Sequence, residues 1–122
     1  MLTRSNKRIL ISDESRFKLF QIMERLAEID KGFTFAICKD KENRATGVVW
    51  MNSIMRSNFI RFGSFLSIDA MKRETNYNGW SYISPVVIND VNKICVVCEA
   101  LMISEDNDAY HFVISSLFQM CP

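Results

Sequence analysis

The sequence predicts an α+β domain, in which a helix and a β-hairpin precede a three-stranded antiparallel meander and a last helix. Apolar residues recur at helical spacing near both ends of the chain. Between these stretches they form short alternating or β-branched runs, separated by turn residues. The chain has 122 residues, 48% of them hydrophobic and 24% charged, which is enough to build the core of one domain.

The first helix is predicted over roughly residues 14–30. Ser12 and Asp13 offer an N-cap and a first-turn acid, both favoured where a helix begins. Lys31 and Gly32 follow the last apolar position and end the helix. The apolar positions that recur at helical spacing are Phe17, Phe20, Ile22, Met23, Leu26, Ala27 and Ile29.

A β-hairpin and a short helix come next. Residues 33–37 alternate as a strand, residues 40–44 form a polar turn, and residues 47–51 return as the second strand. Asn52 can cap a short helix. We expect this helix to end at Gly63.

The following stretch predicts three strands in meander order, over residues 65–69, 80–88 and 93–103. In the first, Phe65, Ser67 and Asp69 share one face, and Asp69 lies at the carboxyl end of the strand. Pro85 interrupts the second strand, which predicts an edge position or a bulge there.

The last helix is predicted to begin at the acidic sequence Ser104-Glu105-Asp106 and to end near Pro122. We divide the chain into residues 1–61, which form the helix, hairpin and short helix, and residues 62–122, which form the meander and the last helix. The apolar stripe of the last helix consists of Ala109, Phe112, Val113, Ser116, Leu117 and Met120.

The charge pattern excludes several classes of function. The formal net charge is +1, too small for a polycation that coats nucleic acid. Residues 1–61 carry 12 basic and 7 acidic side chains (+5), whereas residues 62–122 carry 3 basic and 7 acidic side chains (−4), so cations should gather at the second half.

The apolar runs are too short for a membrane span, and residues 1–10 do not have the pattern of a secretory signal. We therefore expect no membrane partner.

Four cysteines are present: Cys38, Cys95, Cys98 and Cys121. Without a secretory signal they are expected to be reduced thiols. Cys95 and Cys98 lie in one β-branched run, where positions three apart point to opposite faces. This favours buried structural thiols, with no zinc, over the alternative of a metal or redox pair.

Asp69 is the leading candidate for chemistry. An aspartate in an otherwise apolar strand needs a cation or hydrogen-bond donors to compensate its charge, although it could instead cap the following turn. Acids at a strand end and at a helix start can converge into an oxygen-rich site for Mg²⁺ or Mn²⁺, which makes Glu105 a second candidate ligand. Lys72 and Arg73 could hold a nucleic-acid phosphate beside the acid. Neither a catalytic triad around His111 nor a glycine-rich phosphate loop is indicated.

The order of several short motifs resembles the front half of the Mutator-like-element transposase domain, which is also found in far-red-impaired-response and SWIM-zinc-finger relatives. The Phe-rich strand, the acidic turn and the strand that ends in Trp correspond to residues 33–36, 40–44 and 48–50. Phe-Gly and an apolar strand that ends in Asp follow at residues 61–69. The segments that match further along the chain are Thr75-Asn76-Tyr77-Asn78-Gly79-Trp80 and Ala100-Leu101-Met102-Ile103-Ser104-Glu105, followed by Tyr110 and Phe112.

The resemblance implies a partial ribonuclease-H-like fold in which Asp69 is the first carboxylate of a DDE triad. Enzymes of this type use two Mg²⁺ or Mn²⁺ ions to cleave DNA phosphodiesters and transfer strands. The partner would be DNA at transposon ends, and the location nuclear or otherwise intracellular. In the family, the Glu that Glu105 matches lies near the site but is not the final acid of the triad.

Two departures from the family pattern bear on activity. Ala70-Met71-Lys72-Arg73-Glu74 replaces the Thr and Tyr that often follow the Asp, and the chain ends at Pro122, before the second Asp and the final Glu. We therefore expect a transposase fragment that is inactive alone. The alternative is a domesticated or decayed module that binds DNA or protein without catalysis. A half sheet also exposes an edge, which predicts self-association.

Overall fold

The computed structural model describes the backbone of residues 13–71 and 80–121, and the side chains of residues 18–68 and 80–121. Three helices are separated by a pair of strands and by a run of four strands, which agrees with the predicted α+β class. They are α1 (Asp13–Ile29), β1 (Thr34–Lys39), β2 (Ala45–Met51), α2 (Ser53–Phe62), β3 (Leu66–Met71), β4 (Ser81–Ile88), β5 (Ile94–Val96), β6 (Glu99–Met102) and α3 (Asn107–Met120).

All six strands belong to one antiparallel sheet. Its order is β1-β2-β6-β4-β3, and β5 pairs with β4 beside β6. The meander is therefore formed by β3, β4 and the β5–β6 segment, as predicted. The early hairpin extends the same sheet, because Trp50 of β2 pairs with Glu99 of β6.

A β-bulge divides the third strand of the meander. Between the pairs Val86↔Val96 and Ile83↔Ala100, β4 advances three residues while its partner advances four. One extra residue of this kind defines a bulge. The single strand predicted over 93–103 is thus two strands. Pro85 lies at this irregularity, where its carbonyl accepts from the amide of Val97; it does not lie on an edge strand, because β4 has partners on both sides.

The helices lie on both faces of the sheet. On one face α2 and α3 cover the main core, which includes Met51, Ile83, Val97, Val113 and Leu117. On the other face α1 packs over β1, β2 and β6; its apolar side chains meet those of the sheet in two smaller clusters, and the residues involved are Leu19, Met23, Ala27, Phe33, Phe35, Ile37, Ala45, Val48, Trp50, Trp80, Leu101 and Ile103. No helix in the described part of the chain has both the length and the apolar character needed to cross a membrane.

Both hairpin turns have the same construction. Asp40 Oδ1 accepts from the amides of the residues two and four positions later, and so does Asn89 Oδ1. Asn43 and Asn92 each occupy the left-handed region, with φ of 64° and 63°, which asparagine tolerates better than most residues. The turn-forming residues that the sequence indicated are therefore the ones that reverse the chain.

The cap of α2 is the predicted one, whereas the cap of α3 is the last residue of the predicted start. Asn52 accepts from the amide of Met55 and caps α2, which ends at Gly63. Asp106 accepts from the amide of Ala109 and caps α3. Glu105 therefore precedes the cap, and α3 begins two residues later than the predicted helix start.

A polar joint connects α1, β1, α2 and α3. The Asp30 carboxylate accepts from the amides of Gly32 and Ser53. Arg56 donates to the Gly32 carbonyl, to Thr34 Oγ1 and to the carbonyl of Met120 at the end of α3. One guanidinium thus binds groups from both halves of the chain.

Candidate functional site

Asp69 lies on β3, an edge strand among the described elements, since β3 pairs with β4 alone. It is the fourth of six residues in the strand, and its Cα partner is Ser84. The strand continues to Met71, so Asp69 lies two residues before the carboxyl end at which the sequence placed it. Ser84 is buried and its hydroxyl donates to the Cys98 carbonyl at 3.5 Å.

Glu105 lies in the connection between β6 and α3. Its Oε2 accepts from the Ser81 hydroxyl at 3.2 Å, and its Oε1 accepts from the Tyr110 hydroxyl at 3.4 Å. Ser81 is three residues before Ser84 on β4, a distance of about 10 Å along a strand. The register therefore places Ser81, which binds Glu105, and Ser84, the partner of Asp69, at separate positions on β4.

Three other residues that the sequence analysis considered are Lys72, Arg73 and His111. Lys72 and Arg73 lie outside the described residues. His111 is exposed on α3. Among the side chains that the structure describes, no three His, Cys, Asp or Glu residues form a group that could hold a metal ion.

Glu99 forms a polar cluster that the sequence analysis did not single out. The indole N–H of Trp50 donates to Glu99 Oε1 at 3.1 Å, and the Tyr82 hydroxyl donates to Oε2. Burial and the hydrogen bond to Glu99 raise the pKa of Tyr82 to about 12. A signal was available, because Glu99 is a lone acid in an apolar strand, which is the same pattern that drew attention to Asp69.

The four cysteines are free thiols. Cys98 is part of the main core and Cys95 packs against that core, so the two do not point to opposite faces as predicted. The bulge between them shifts the alternation by one residue. Burial, followed by the negative charge of Glu99, raises the pKa of the Cys98 thiol to about 12, as expected for a structural rather than a reactive cysteine.

Comparison with known families identifies the fold family of this region. A family model described as "Zinc finger SWIM domain-containing protein 1/3, RNaseH-like domain" matches residues 24–121. This region includes the six described strands, α2, α3 and the last third of α1, from Glu24 onwards. Comparisons with curated proteins and with solved structures give no significant match.

Proposed function

This chain belongs to the RNaseH-like domain family of zinc finger SWIM domain-containing proteins 1 and 3, and we propose that its parent reaction is metal-dependent DNA cleavage and strand transfer by a DDE transposase. Its membership makes it a transposase-derived module of RNase H-like fold. We assign its more specific origin to the Mutator-like-element lineage, on the order of the motifs between residues 33 and 105.

The observation that carries this proposal is the position of Asp69. It occupies the first strand of an antiparallel meander that is followed by α3, within the region that matches the family. We assign Asp69 the role of the first metal-binding carboxylate.

The donor type of Asp69 fits a divalent ion, because carboxylate oxygens are the ligands that Mg²⁺ and Mn²⁺ prefer. The hydroxyl of Ser84, the strand partner of Asp69, donates to the Cys98 carbonyl. The hydroxyl proton of Ser84 therefore already has an acceptor within the protein. When bound, the ions would activate water or a 3′-hydroxyl and stabilise the leaving oxygen. Lys72 and Arg73 follow on the same segment, and we assign them to the DNA phosphates.

Glu105 is a weaker candidate for the same ion. Both of its carboxylate oxygens accept hydrogen bonds from protein hydroxyls, which fixes its orientation between β4 and α3. We therefore expect Asp69 to contribute more to metal affinity than Glu105. A DNA substrate also supports a nuclear or other intracellular location.

A second candidate function is binding of DNA or protein without catalysis. The hydrogen bonds to Glu105 favour this non-catalytic function. Ser81 and Tyr110 bind both of its carboxylate oxygens, which is an arrangement that a purely structural role explains without a metal ion. In this case residues 1–61, with their net charge of +5, would supply phosphate contacts.

The variant Asp69→Asn in the full-length protein separates the two functions. If Asp69 binds the ions, Mg²⁺-dependent cleavage of element-end DNA should fall at least roughly a hundredfold, because a metal ligand supplies several kcal/mol of transition-state stabilisation. DNA binding, measured by mobility shift at two salt concentrations, should persist. The control is Ser67→Ala, which changes an exposed residue two positions away on β3.

Unchanged cleavage in Asp69→Asn would exclude the assigned role. Absence of cleavage by the unaltered protein, together with DNA binding that weakens steeply with salt, would favour the non-catalytic function. Salt-insensitive or absent DNA binding would instead indicate a protein partner.

A further inference from the structure

The sheet face that α1 covers is covered over only part of its width. The apolar clusters beneath α1 contain residues of β1, β2 and β6 and none of β3 or β5. On the opposite face, α2 contacts β4 and β5. The α1 side of β3, β4 and β5 is therefore covered by no helix in the described part of the chain.

This uncovered area carries a row of large apolar side chains. One residue on each of the three strands packs into the main core on the side of α2 and α3: Leu66, Val87 and Cys95. Successive residues of a strand point to opposite faces. Ile88 and Ile94 therefore project from the uncovered face, and exposed Phe65 directly precedes β3.

The register aligns these three residues into one row. Leu66 pairs with Val87, which places Phe65 next to Ile88, and Ile88 pairs directly with Ile94. Their exposed fractions are 71%, 45% and 73%. We call Phe65, Ile88 and Ile94 the apolar row. Contiguous exposed apolar side chains of this kind commonly mark an interaction surface.

The surroundings of the apolar row suit a second copy of the same surface. The turn between β4 and β5 carries exposed Asp90 and exposed Lys93, and the row itself contains no charge. In a two-fold contact the same patch meets itself, so the aspartate of one copy can approach the lysine of the other. Such pairing of opposite charges sets orientation and disfavours other contacts.

We infer that a second copy of this chain packs on the apolar row, sheet against sheet about a two-fold axis. Side chains of two sheets interdigitate well in this arrangement. Self-association is measured without DNA or metal, so its failure is distinguishable from failure of the proposed function.

Sedimentation equilibrium of the 122-residue chain over a range of concentrations tests this inference. The unaltered chain should dimerise. Ile94→Lys should raise the dimer dissociation constant at least roughly tenfold, because two charged side chains enter the contact, one from each copy. The matched control is Ile29→Lys. Ile29 is 74% exposed, and it lies on α1 and not on any of the strands that carry the apolar row.

Ile94→Thr keeps a β-branched residue in β5 and should weaken the dimer by a smaller factor, so the test does not depend on how β5 tolerates lysine. Circular dichroism confirms that each variant is folded. A chain that stays monomeric at every concentration overturns the inference. So does a dimer that Ile94→Lys leaves intact, as pairing through the edge that β3 forms among the described strands would produce, or one that Ile29→Lys weakens equally.

Discussion

At the scale of single residues, the Asp30 carboxylate joins the α1–β1 turn to the start of α2. Its two carboxylate oxygens accept from amides of the α1–β1 turn and of the first residue of α2, each at 2.9 Å. The hydrogen bond from the Ser53 amide is the largest cause that holds the pKa of Asp30 below its ordinary value of 3.8. The ionised form is thus the form that joins the two elements.

This contact predicts acid sensitivity. Because the pKa of Asp30 is lowered in the folded chain, its contribution to stability is present above the ordinary pKa and is lost as pH falls through the folded pKa. Between about pH 6 and about pH 3 the urea midpoint of the unaltered chain should fall more than that of Asp30→Asn. Glu28→Gln, an exposed change on the same helix, should retain the full fall. Equal falls in all three proteins would contradict this role of Asp30.

Cys98 gives a second prediction at the residue scale. It is fully buried, and the pKa of its thiol is raised to about 12. Since the thiolate is the nucleophile, native-state alkylation by iodoacetamide, followed by mass spectrometry, should be at least roughly a hundredfold slower at Cys98 than in the urea-unfolded chain. Half-buried Cys95 provides the internal comparison. Fast native alkylation of Cys98 would restore the redox alternative for the pair.

At the scale of elements, the turn at Gly32 admits no side chain. A Cβ added there would lie 2.6 Å from Ser53 Cβ and 2.9 Å from Ser53 Cα. Gly32→Ala must therefore separate the α1–β1 turn from the start of α2, and we expect it to destabilise the chain by about 1–3 kcal/mol. Urea unfolding measures the difference, and Lys31→Ala at the exposed neighbouring position is the control. An unchanged midpoint for Gly32→Ala would show that the turn can shift freely.

The elements also show which local features were predictable from sequence. Asn52 before α2 and Asp40 in the first turn act through contacts within four residues along the chain, so their residue types sufficed. The bulge opposite Pro85 is different. Val96, Val97 and Cys98 form a continuous apolar run, and such a run has no alternation in which an extra residue could be detected.

At the scale of the whole molecule, the apolar stripes of α1 and α3 predicted two buried helix faces but not the opposite sides of the sheet on which they lie. The pairing of β2 with β6 joins residues about fifty positions apart, and nothing local to either strand specifies it. The candidate site shows the same limit. Asp69 stood out as a lone acid in a strand, whereas the partners of Glu105 and Glu99 depend on strand register.

The hydrogen bonds of Arg56 make the end of α3 depend on a residue that lies much earlier in the chain, in α2. Its guanidinium closes the final turn of α3 by donating to the carbonyl of Met120, 64 residues away, and it also binds the α1–β1 turn. A helix leaves its last carbonyls without intrahelical partners. Residues well before β3 thus complete a helix at the other end of the domain. A cut between α2 and β3 would leave α3 in the rear piece with an unfinished terminus and would remove one of the three acceptors of Arg56 in the front piece, so neither piece is expected to be autonomous.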